Sequence, residues 1–382
     1  MLLDVYKKYP IVPERAQGKF IYDKNGKRYL DLVSGISVTI LGHRHPAVIR
    51  AIKKQLNKYL HISNLFHIKV QEEYARLLVE KTFKGAVFFS NSGAEANELA
   101  VKTARFFGAD SNRYKFIAFE NSFHGRTLAT VCLTGQKKFK KGLSPLLEGF
   151  EFAELNNINS VKKLITSRTV AVFLELVQGE GGIYPADINF VGNLRKITKE
   201  KNILLILDEI QTGFGRCGKL FAFQKYGITP DIITLGKAAG GGLPLGVTIL
   251  KKGLVKYLPK GSHGSTFGGN PISVVAGMET LKLLDEKMLE RVNRLSEKFI
   301  QGLHQLWEKN KIIEDVRASG LMIGVEFEKE IAEKIVFEFL KRGIITNAVK
   351  PNILRFLPPY TITYSDIEKV LAIFSKILKH IK

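Results

Sequence analysis

Residues 203–208 read Ile-Leu-Leu-Ile-Leu-Asp, and residues 231–237 read Asp-Ile-Ile-Thr-Leu-Gly-Lys. Each stretch is a short apolar run without alternation, which is typical of a strand buried on both faces of a parallel sheet. The first run ends in Asp208 and the second is followed by Lys237. The two residues are 237 − 208 = 29 positions apart, roughly one strand–helix–strand step. The spacing therefore predicts that both side chains lie at the same edge of one sheet.

The same alternation of apolar strands and helical stretches extends from about residue 70 to residue 255. Strands are predicted at Ala86–Phe89, Phe116–Phe119, Val170–Leu174, Ile203–Leu207 and Ile232–Leu235. Helices are predicted at Gln71–Lys81, Ala94–Phe107 and Asn189–Lys201. This order predicts an α/β fold with a mostly parallel sheet flanked by helices. Ligands of such sheets bind beyond the carboxyl ends of the strands, where Asp208 and Lys237 are expected.

The two ends of the chain have a different pattern. A hairpin is predicted over residues 20–31, and a helix follows Pro46 to Tyr59. After Pro271 a helical stretch, 272–284, leads into mixed helix and strand. We therefore expect an N-terminal segment, 1–48, that packs with a smaller α+β domain, 272–382, and a large domain at 49–271.

The composition is that of a soluble globular protein, with 45% hydrophobic and 25% charged residues. The two cysteines cannot form a disulfide framework, and no secretory signal is evident, so a cytoplasmic location is expected. The formal net charge of +22 leaves a nucleic-acid-binding protein as a remote alternative. Because the basic residues are spread along the whole chain, a solvated surface is the favoured explanation.

Lys237 and Asp208 suggest a specific chemistry. An amine at the end of a buried strand is partly desolvated, which lowers its pKa and lets it attack a carbonyl. A carboxylate at a neighbouring strand end favours a protonated pyridine nitrogen, which makes the ring an electron sink. Together they predict pyridoxal phosphate bound to Lys237 as a Schiff base. Taken alone, Lys237 could be a surface lysine in a glycine loop, and Asp208 could cap the next element.

A phosphate site is predicted at the start of the helix after residue 90. Ser92 and Glu95 have capping-box spacing, and free N–H groups of Gly93 and Ala94 would point at an anion. By itself this motif marks only a helix start. A competing motif, Gly213-Phe-Gly-Arg-Cys-Gly218, has dinucleotide-loop spacing, but no clear helix opens at Gly218. A nicotinamide enzyme is therefore disfavoured.

The chain resembles the class III aminotransferases, which are pyridoxal-phosphate enzymes of fold type I. The motifs that carry the resemblance are NSGAEANE from Asn91, FHGRTLAT from Phe123, QGE from Gln178, LDEIQTGFGR from Leu207 and HGSTFGGNP from His263. The resemblance covers nearly the whole length, from Gly42-His-Arg-His-Pro46 to Leu354-Arg-Phe-Leu-Pro-Pro359, with the motifs in one order. The resemblance implies the fold-type I architecture, with a large cofactor domain and a smaller α+β domain.

The resemblance also implies roles for individual residues. Phe123 would stack on the cofactor ring, and Gln211 would bind its phenolic oxygen. The implied cofactor-binding set is Ser92, Gly93, Ala94, Phe123, Asp208, Glu209, Ile210, Gln211, Lys237 and Thr266, with Lys237 and Asp208 catalytic. The implied substrate-binding set is Arg126, Glu180, Ser265 and Arg355, and no metal site is expected.

Arg126 would bind the α-carboxylate of the donor, and Arg355 the α-carboxylate of glutamate or 2-oxoglutarate. Glu180 would be the alternate partner of Arg355. Sequence alone leaves ordinary surface salt bridges open for these three residues. Ser265 and Thr266 would reach the neighbouring subunit's site, which requires a homodimer.

Within the family, the segments LATVCLTGQ (128–136) and RFLPP (355–359) favour N2-acetylornithine as the donor. Aminotransferases of ornithine, 4-aminobutyrate or succinyl-diaminopimelate remain alternatives, since they would use the same cofactor residues.

Overall fold

The structure, a computed structural model, describes residues 2–381. Its strands are β1 (Pro13–Gln17), β2 (Phe20–Asp23), β3 (Arg28–Asp31), β4 (Gly85–Ser90), β5 (Lys115–Phe119), β6 (Phe150–Ala153), β7 (Thr169–Leu174), β8 (Val177–Gln178), β9 (Tyr184–Pro185), β10 (Leu204–Asp208), β11 (Ile232–Leu235), β12 (Gly246–Lys251), β13 (Ile313–Ser319), β14 (Met322–Phe327), β15 (Ile344–Ile345), β16 (Asn347–Lys350) and β17 (Ile353–Phe356). Its helical segments are the single turn α1 (Ser34–Ser37), then α2 (Pro46–Leu56), α3 (Lys69–Lys81), α4 (Gly93–Gly108), α5 (Leu128–Leu133), α6 (Ile158–Leu164), α7 (Ile188–Glu200), α8 (Pro271–Lys282), α9 (Glu286–Lys309), α10 (Ala332–Lys341) and α11 (Tyr364–His380).

The central sheet has seven strands in the order β4-β12-β11-β10-β7-β5-β6. Strands β11, β10, β7, β5 and β6 are parallel to one another, whereas β12 is antiparallel to both β4 and β11. The predicted α/β fold with a mostly parallel sheet is confirmed. The sequence analysis did not identify β12, which follows a glycine-rich turn, or the short strand β6.

Both faces of this sheet are buried, which explains why its strands are apolar without alternation. Leu205 and Leu207 of β10 belong to the larger core, whereas Leu204 and Ile206 belong to a second core on the other face. Helix α7 contributes Phe190, Val191 and Leu194 to the first core, and α4 contributes Ala100, Val101 and Ala104 to the second. Helices on both faces thus remove from water the apolar surface of the inner strands, whereas the edge strands β4 and β6 are partly buried.

Two four-stranded sheets lie outside the central sheet. One has the order β1-β2-β3-β15, so that the predicted hairpin pairs with a strand from the C-terminal part of the chain. The other has the order β13-β14-β17-β16 and packs with α9, α10 and α11. The division at residues 48 and 271 remains a prediction. Among residues 2–381, no helix is both long and apolar enough to cross a membrane, and no group of three metal-ligating side chains occurs.

The turn α1 has an unusual backbone, since Ser34, Gly35, Ile36 and Ser37 all have positive φ, between 45° and 65°. A left-handed conformation costs a non-glycine residue about 1–2 kcal/mol. The guanidinium of the fully buried Arg216 donates hydrogen bonds to the hydroxyls of Ser37, at 2.8 Å, and Ser34, at 3.3 Å. These bonds hold the turn in a conformation that its sequence does not favour.

Asp231 joins four elements at the edge of the central sheet opposite the carboxyl ends of its parallel strands. Its carboxylate accepts two hydrogen bonds from Arg195 of α7, at 2.6 and 3.0 Å, and one from Lys251 of β12, at 3.0 Å. It also accepts from the backbone N–H of Leu205 in β10, at 2.9 Å. Burial alone would raise the pKa of Asp231, but these hydrogen bonds and the two cations lower it below its ordinary value.

Replacement Asp231→Asn should lower the free energy of unfolding by about 1–3 kcal/mol at pH 7, because two partly buried cations lose their charged acceptor. A depressed pKa in the folded state stabilises the protein above the unfolded-state pKa of about 3.9, and this contribution is lost as the pH falls. The difference between wild type and variant, measured by urea unfolding, should therefore shrink below about pH 4. The exposed pair of Arg76 and Glu80 provides a control, since Glu80→Gln should change stability by less than about 0.5 kcal/mol. A difference that persisted undiminished at pH 3 would contradict the role of the ionised carboxylate.

Candidate active site

A cavity of about 340 Å³ opens at the carboxyl edge of the central sheet. The residues that follow β5, β7, β10 and β11 meet there, because these parallel strands all end at one edge. Most residues predicted for the site line it: Gly93, Ala94, Phe123, Arg126, Glu180, Asp208, Ile210, Gln211 and Lys237. Residues that were not among the predicted site residues complete the lining: His124, Gly125, Glu175, Val177 and Thr212.

Lys237 follows β11 and has a positive φ of 49°. The chain passes close to α4 here, since a Cβ at Gly236 would lie 3.3 Å from the Cα of Gly93. Burial lowers the pKa of the Lys237 amine to about 8; the carboxylate of Glu180 opposes this shift and the guanidinium of Arg355 reinforces it. A substantial fraction of the amine is therefore unprotonated, and nucleophilic, near neutral pH.

Asp208 is the last residue of β10 and is almost completely buried. Its Oδ2 lies 2.8 Å from Nδ1 of His124 and accepts a hydrogen bond from the amide of Asn97 at 2.9 Å. Its Oδ1 accepts from the backbone N–H of Ile210 at 3.0 Å. Three hydrogen bonds fix the orientation of the carboxylate within the cavity. The motif that begins at Asn91 contains Asn97, but only the folded chain places it beside Asp208.

The start of α4 has the features of an anion site. Ser92 is the N-cap, and its hydroxyl accepts from the N–H of Glu95 at 3.2 Å, while the Glu95 carboxylate accepts from the N–H of Asn91 at 2.8 Å. The next two N–H groups, of Gly93 and Ala94, find no acceptor within residues 2–381. They lie on the cavity wall at the positive end of a 16-residue helix, where a phosphate is favoured.

Aromatic and cationic side chains form another part of the lining. The ring of Phe123 packs edge-on against Phe139, with centroids 5.5 Å apart. The guanidinium of Arg126 lies 4.5 Å from the Phe139 centroid and is exposed to solvent. No carboxylate pairs with Arg126 in the part of the chain that the structure describes, so this cation is available to an anionic ligand.

Arg355 is fully buried and forms an ion pair with Glu180, with Nη1 and Oε1 2.6 Å apart. The same nitrogen donates to the carbonyl of Gly179 at 3.1 Å, and Gln211 contacts both members of the pair at 3.4–3.5 Å. Burial raises the pKa of Glu180, but the cations Arg355 and Lys237 outweigh burial and bring it down to about 2. The pair therefore remains ionised at neutral pH.

Glu175 is a cavity residue that the sequence analysis did not assign to the site. It follows β7 and accepts a hydrogen bond from the N–H of Phe123 at 2.9 Å. Burial, together with the nearby charge of Asp208, raises its pKa well above the ordinary value. Its position directly after a buried parallel strand was the available signal, the same one that singled out Asp208.

Five predicted residues are not part of the lining. Ser92, the cap of α4, and Arg355, the partner of Glu180, adjoin the cavity. The carboxylate of Glu209 points away from it and accepts from the N–H groups of Ala222 and Phe223, at 2.7 Å each. Ser265 and Thr266 line a separate surface cavity of about 500 Å³. Within one chain, the structure does not bring these two hydroxyls together with Lys237.

Comparison with known proteins identifies the family. The family model described as Aminotransferase class-III matches residues 4–378. The acetylornithine aminotransferase of Caldanaerobacter subterraneus subsp. tengcongensis is 44% identical, over 100% of this chain and 98% of that protein. The corresponding protein of Aquifex aeolicus is 43% identical, over 99% of each chain. A crystal structure of the ornithine aminotransferase of Toxoplasma gondii, with pyridoxal phosphate at partial occupancy in its active site, has a TM-score of 0.94 at 30% identity and covers 98% of this chain and 91% of that chain.

The fold and the cavity define a pyridoxal-phosphate enzyme, since a buried amine of lowered pKa, a fixed carboxylate and an anion cradle face one space. The chain belongs to the class III aminotransferases, and its cofactor is pyridoxal phosphate. The resemblance stated from the sequence motifs is confirmed.

The lowered pKa of Lys237 predicts how fast the cofactor-free protein captures pyridoxal phosphate. Only the unprotonated amine reacts, so the initial rate of capture should rise with pH around a midpoint near 8, against about 10.4 for an ordinary lysine. Borohydride trapping followed by peptide mass spectrometry would follow Lys237 and the surface lysines in the same sample. A midpoint for Lys237 equal to that of the surface lysines would contradict the desolvated amine.

Proposed function

We propose that the protein transfers the terminal amine of N2-acetylornithine to 2-oxoglutarate, giving N-acetylglutamate 5-semialdehyde and glutamate. The observation that carries the proposal is the ion pair of Arg355 with Glu180, a residue that lines the same cavity as Lys237. Arg355 can bind a substrate carboxylate. When the donor has no carboxylate beside its reacting amine, Glu180 serves as the partner of Arg355 instead. The two full-length relatives that carry the acetylornithine aminotransferase name support the choice of donor.

Cofactor-holding roles follow from the lining. Lys237 would hold the cofactor covalently, Asp208 would pair with its ring nitrogen, and Gly93 and Ala94 would bind its phosphate beside the Ser92 cap. When bound, pyridoxal phosphate supplies an electron sink for the carbon next to the reacting nitrogen. Phe123, Ile210 and Gln211 would position its ring.

Lys237 would also move the proton. Once its amine is released by the donor, it can act as general base on the adjacent carbon and return the proton to the cofactor carbon. A pKa near 8 suits both directions of transfer at neutral pH. His124 and Asn97 would act through Asp208, whose negative charge they hold in place.

The two arginines would divide the carboxylates between them. Arg126 would bind the α-carboxylate of the donor, and Arg355 that of glutamate or 2-oxoglutarate. Leaving Arg355 buried without a partner would cost about 3–5 kcal/mol, so Glu180 would occupy it during the donor half-reaction and leave it during the other. The pair therefore supports two substrates of different shape in one cavity.

Donor specificity is tested with a panel of amines, each with 2-oxoglutarate as acceptor. We expect kcat/KM to be highest for N2-acetylornithine, ahead of ornithine, 4-aminobutyrate and N-succinyl-diaminopimelate. Lys237→Ala should support no multiple turnover with any of them, because both the attachment point and the base are lost. A panel in which acetylornithine ranked last would overturn the proposed substrate, and a fully active Lys237→Ala would overturn the proposed base.

A homodimer with shared active sites is the assembly that the surface favours. Ser265 and Thr266, expected at the substrate and the phosphate, lie in the separate surface cavity beside the exposed apolar side chains Leu65, Phe66 and Phe267. Association of two copies through this face would bury the apolar side chains and bring both hydroxyls to the partner's site.

Mixed dimers test this arrangement. Lys237→Ala and Thr266→Glu should each be nearly inactive alone, the second because its carboxylate repels the phosphate. After subunit exchange of equal amounts, half of the dimers combine one chain of each kind, and one of their two sites is intact. Activity should therefore recover to about a quarter of the wild-type value. A mixture without recovery, despite exchange verified by mass, would contradict shared sites.

The proposed reaction is a step in the biosynthesis of arginine, and a cytoplasmic location goes with it. The cysteines Cys132 and Cys217 are free and buried, which agrees with a reducing compartment.

A further inference from the structure

The segment that carries Glu180 is a strained turn between β8 and β9. Gly182 has a φ of 128°, and Ile183, a β-branched residue that is fully buried, has a φ of 61°. A non-glycine residue in this region costs about 1–3 kcal/mol and persists only where its surroundings hold it. The loop 179–183 must therefore be held by contacts from elsewhere in the fold.

Two arginines of the C-terminal part of the chain supply those contacts. Arg355 of β17 binds one end of the loop, through the carbonyl of Gly179 and the carboxylate of Glu180. Arg317 of β13 binds the other end, since its Nε and Nη2 both donate to the carbonyl of Gly182, at 3.2 and 3.0 Å. A substrate carboxylate that bound Arg355 would displace the Glu180 carboxylate from it. The hydrogen bonds of Arg317 to Gly182 would remain.

Arg317 is itself rigidly held. Its Nη1 lies 2.6 Å from a carboxylate oxygen of both Asp315 and Glu326, and its guanidinium stacks 4.0 Å from the ring centroid of Tyr184. The Tyr184 hydroxyl in turn donates to Glu326 at 2.9 Å. All three guanidinium nitrogens thus have an acceptor, an arrangement that the single ammonium group of a lysine could not reproduce.

Strand β14, which pairs with β13, has a glycine where the loop packs against it. Gly324 of β14 pairs with Arg317, and a Cβ at this position would lie 3.0 Å from the Gly182 oxygen and 3.1 Å from Ile183. The loop therefore packs directly against the sheet that presents both arginines. Its backbone position depends on that sheet and not on Glu180 alone.

We propose that Arg317 is a positioning residue that holds the backbone of loop 179–183, so that only the Glu180 side chain moves when a carboxylate takes its place on Arg355. This inference rests on the proposed exchange at Arg355. It follows that loss of Arg317 should slow the donor half-reaction more than the glutamate half-reaction. The donor half-reaction needs Glu180 on Arg355, whereas the glutamate half-reaction needs Glu180 to be absent.

The test compares the two half-reactions in Arg317→Lys, each followed in a single turnover by the absorbance of the bound cofactor. We expect kcat/KM for acetylornithine to fall about tenfold, whereas that for glutamate stays within about threefold. Equal losses in both half-reactions would mean a general structural defect and would overturn the inference. Arg291→Lys is the matched control, because Arg291 also binds two backbone carbonyls, of Tyr360 and Ile362, and is not in the cavity lining. It should leave the ratio of the two half-reactions unchanged.

A double-mutant cycle tests whether Arg317 acts through Glu180. In a Glu180→Ala background, Arg317→Lys should no longer change the ratio, since the group that it positions is absent. A selective loss that persisted there would overturn the inference. If Arg317→Lys does not fold, Glu326→Gln keeps the arginine but weakens its hold and should shift the ratio in the same direction by a smaller factor.

Failure of the proposed function is recognised separately, in the wild-type substrate panel. If another ω-amine proved to be the donor, the same comparison would be made with that amine.

Discussion

The parallel pairing of β10 with β11 is the constraint from which the active site follows. Asp208 lies opposite Thr234 in this pairing, so β10 ends one residue before the end of β11. The chain then reaches Lys237 at the same edge. Because all neighbouring strands but β12 run in this direction, Phe123, Glu175 and Glu180 emerge at that edge too. Because these residues follow paired strands, the sheet fixes their relative positions and long loops are not needed to bring them together.

The cavity brings several charges together without a large imbalance. Asp208 and Glu180 are each held by donors, and Arg355 and Lys237 provide two cations. Glu175 has one backbone donor, and burial beside Asp208 raises its pKa well above the ordinary value. Arg126, exposed at the lining, is a third cation that a substrate carboxylate can neutralise, and the N-terminus of α4 is left to the phosphate. Pairing the buried charges in a poorly hydrated space limits the electrostatic penalty of burying them.

Much of this arrangement could be predicted from the sequence, for identifiable reasons. The apolar runs before Asp208 and Lys237 have a length and composition typical of a strand covered on both faces, and Ser92 with Glu95 has a local capping pattern. Asn97 was not predicted, because its importance depends on the residues that the fold places beside it, whereas Glu175 follows a predicted strand and could have been found by the signal that identified Asp208. The left-handed turn at Ser34–Ser37 could not be predicted either, since Ile36 disfavours that conformation and distant residues, Arg216 and Leu357, contribute hydrogen bonds that stabilise it. Arg317 likewise acts on a loop more than a hundred positions away, which no local pattern reveals.

The buried Arg216 keeps its positive charge in alkaline solution, whereas Lys237 loses its own. Burial lowers the pKa of this guanidinium, yet a guanidinium keeps its proton far above the range in which a desolvated amine loses its own. Raising the pH past 8 therefore deprotonates Lys237 while the anchor beneath the N-terminal turn stays cationic. Had a lysine occupied position 216, the same rise in pH would have deprotonated both Lys237 and the residue that holds the N-terminal turn.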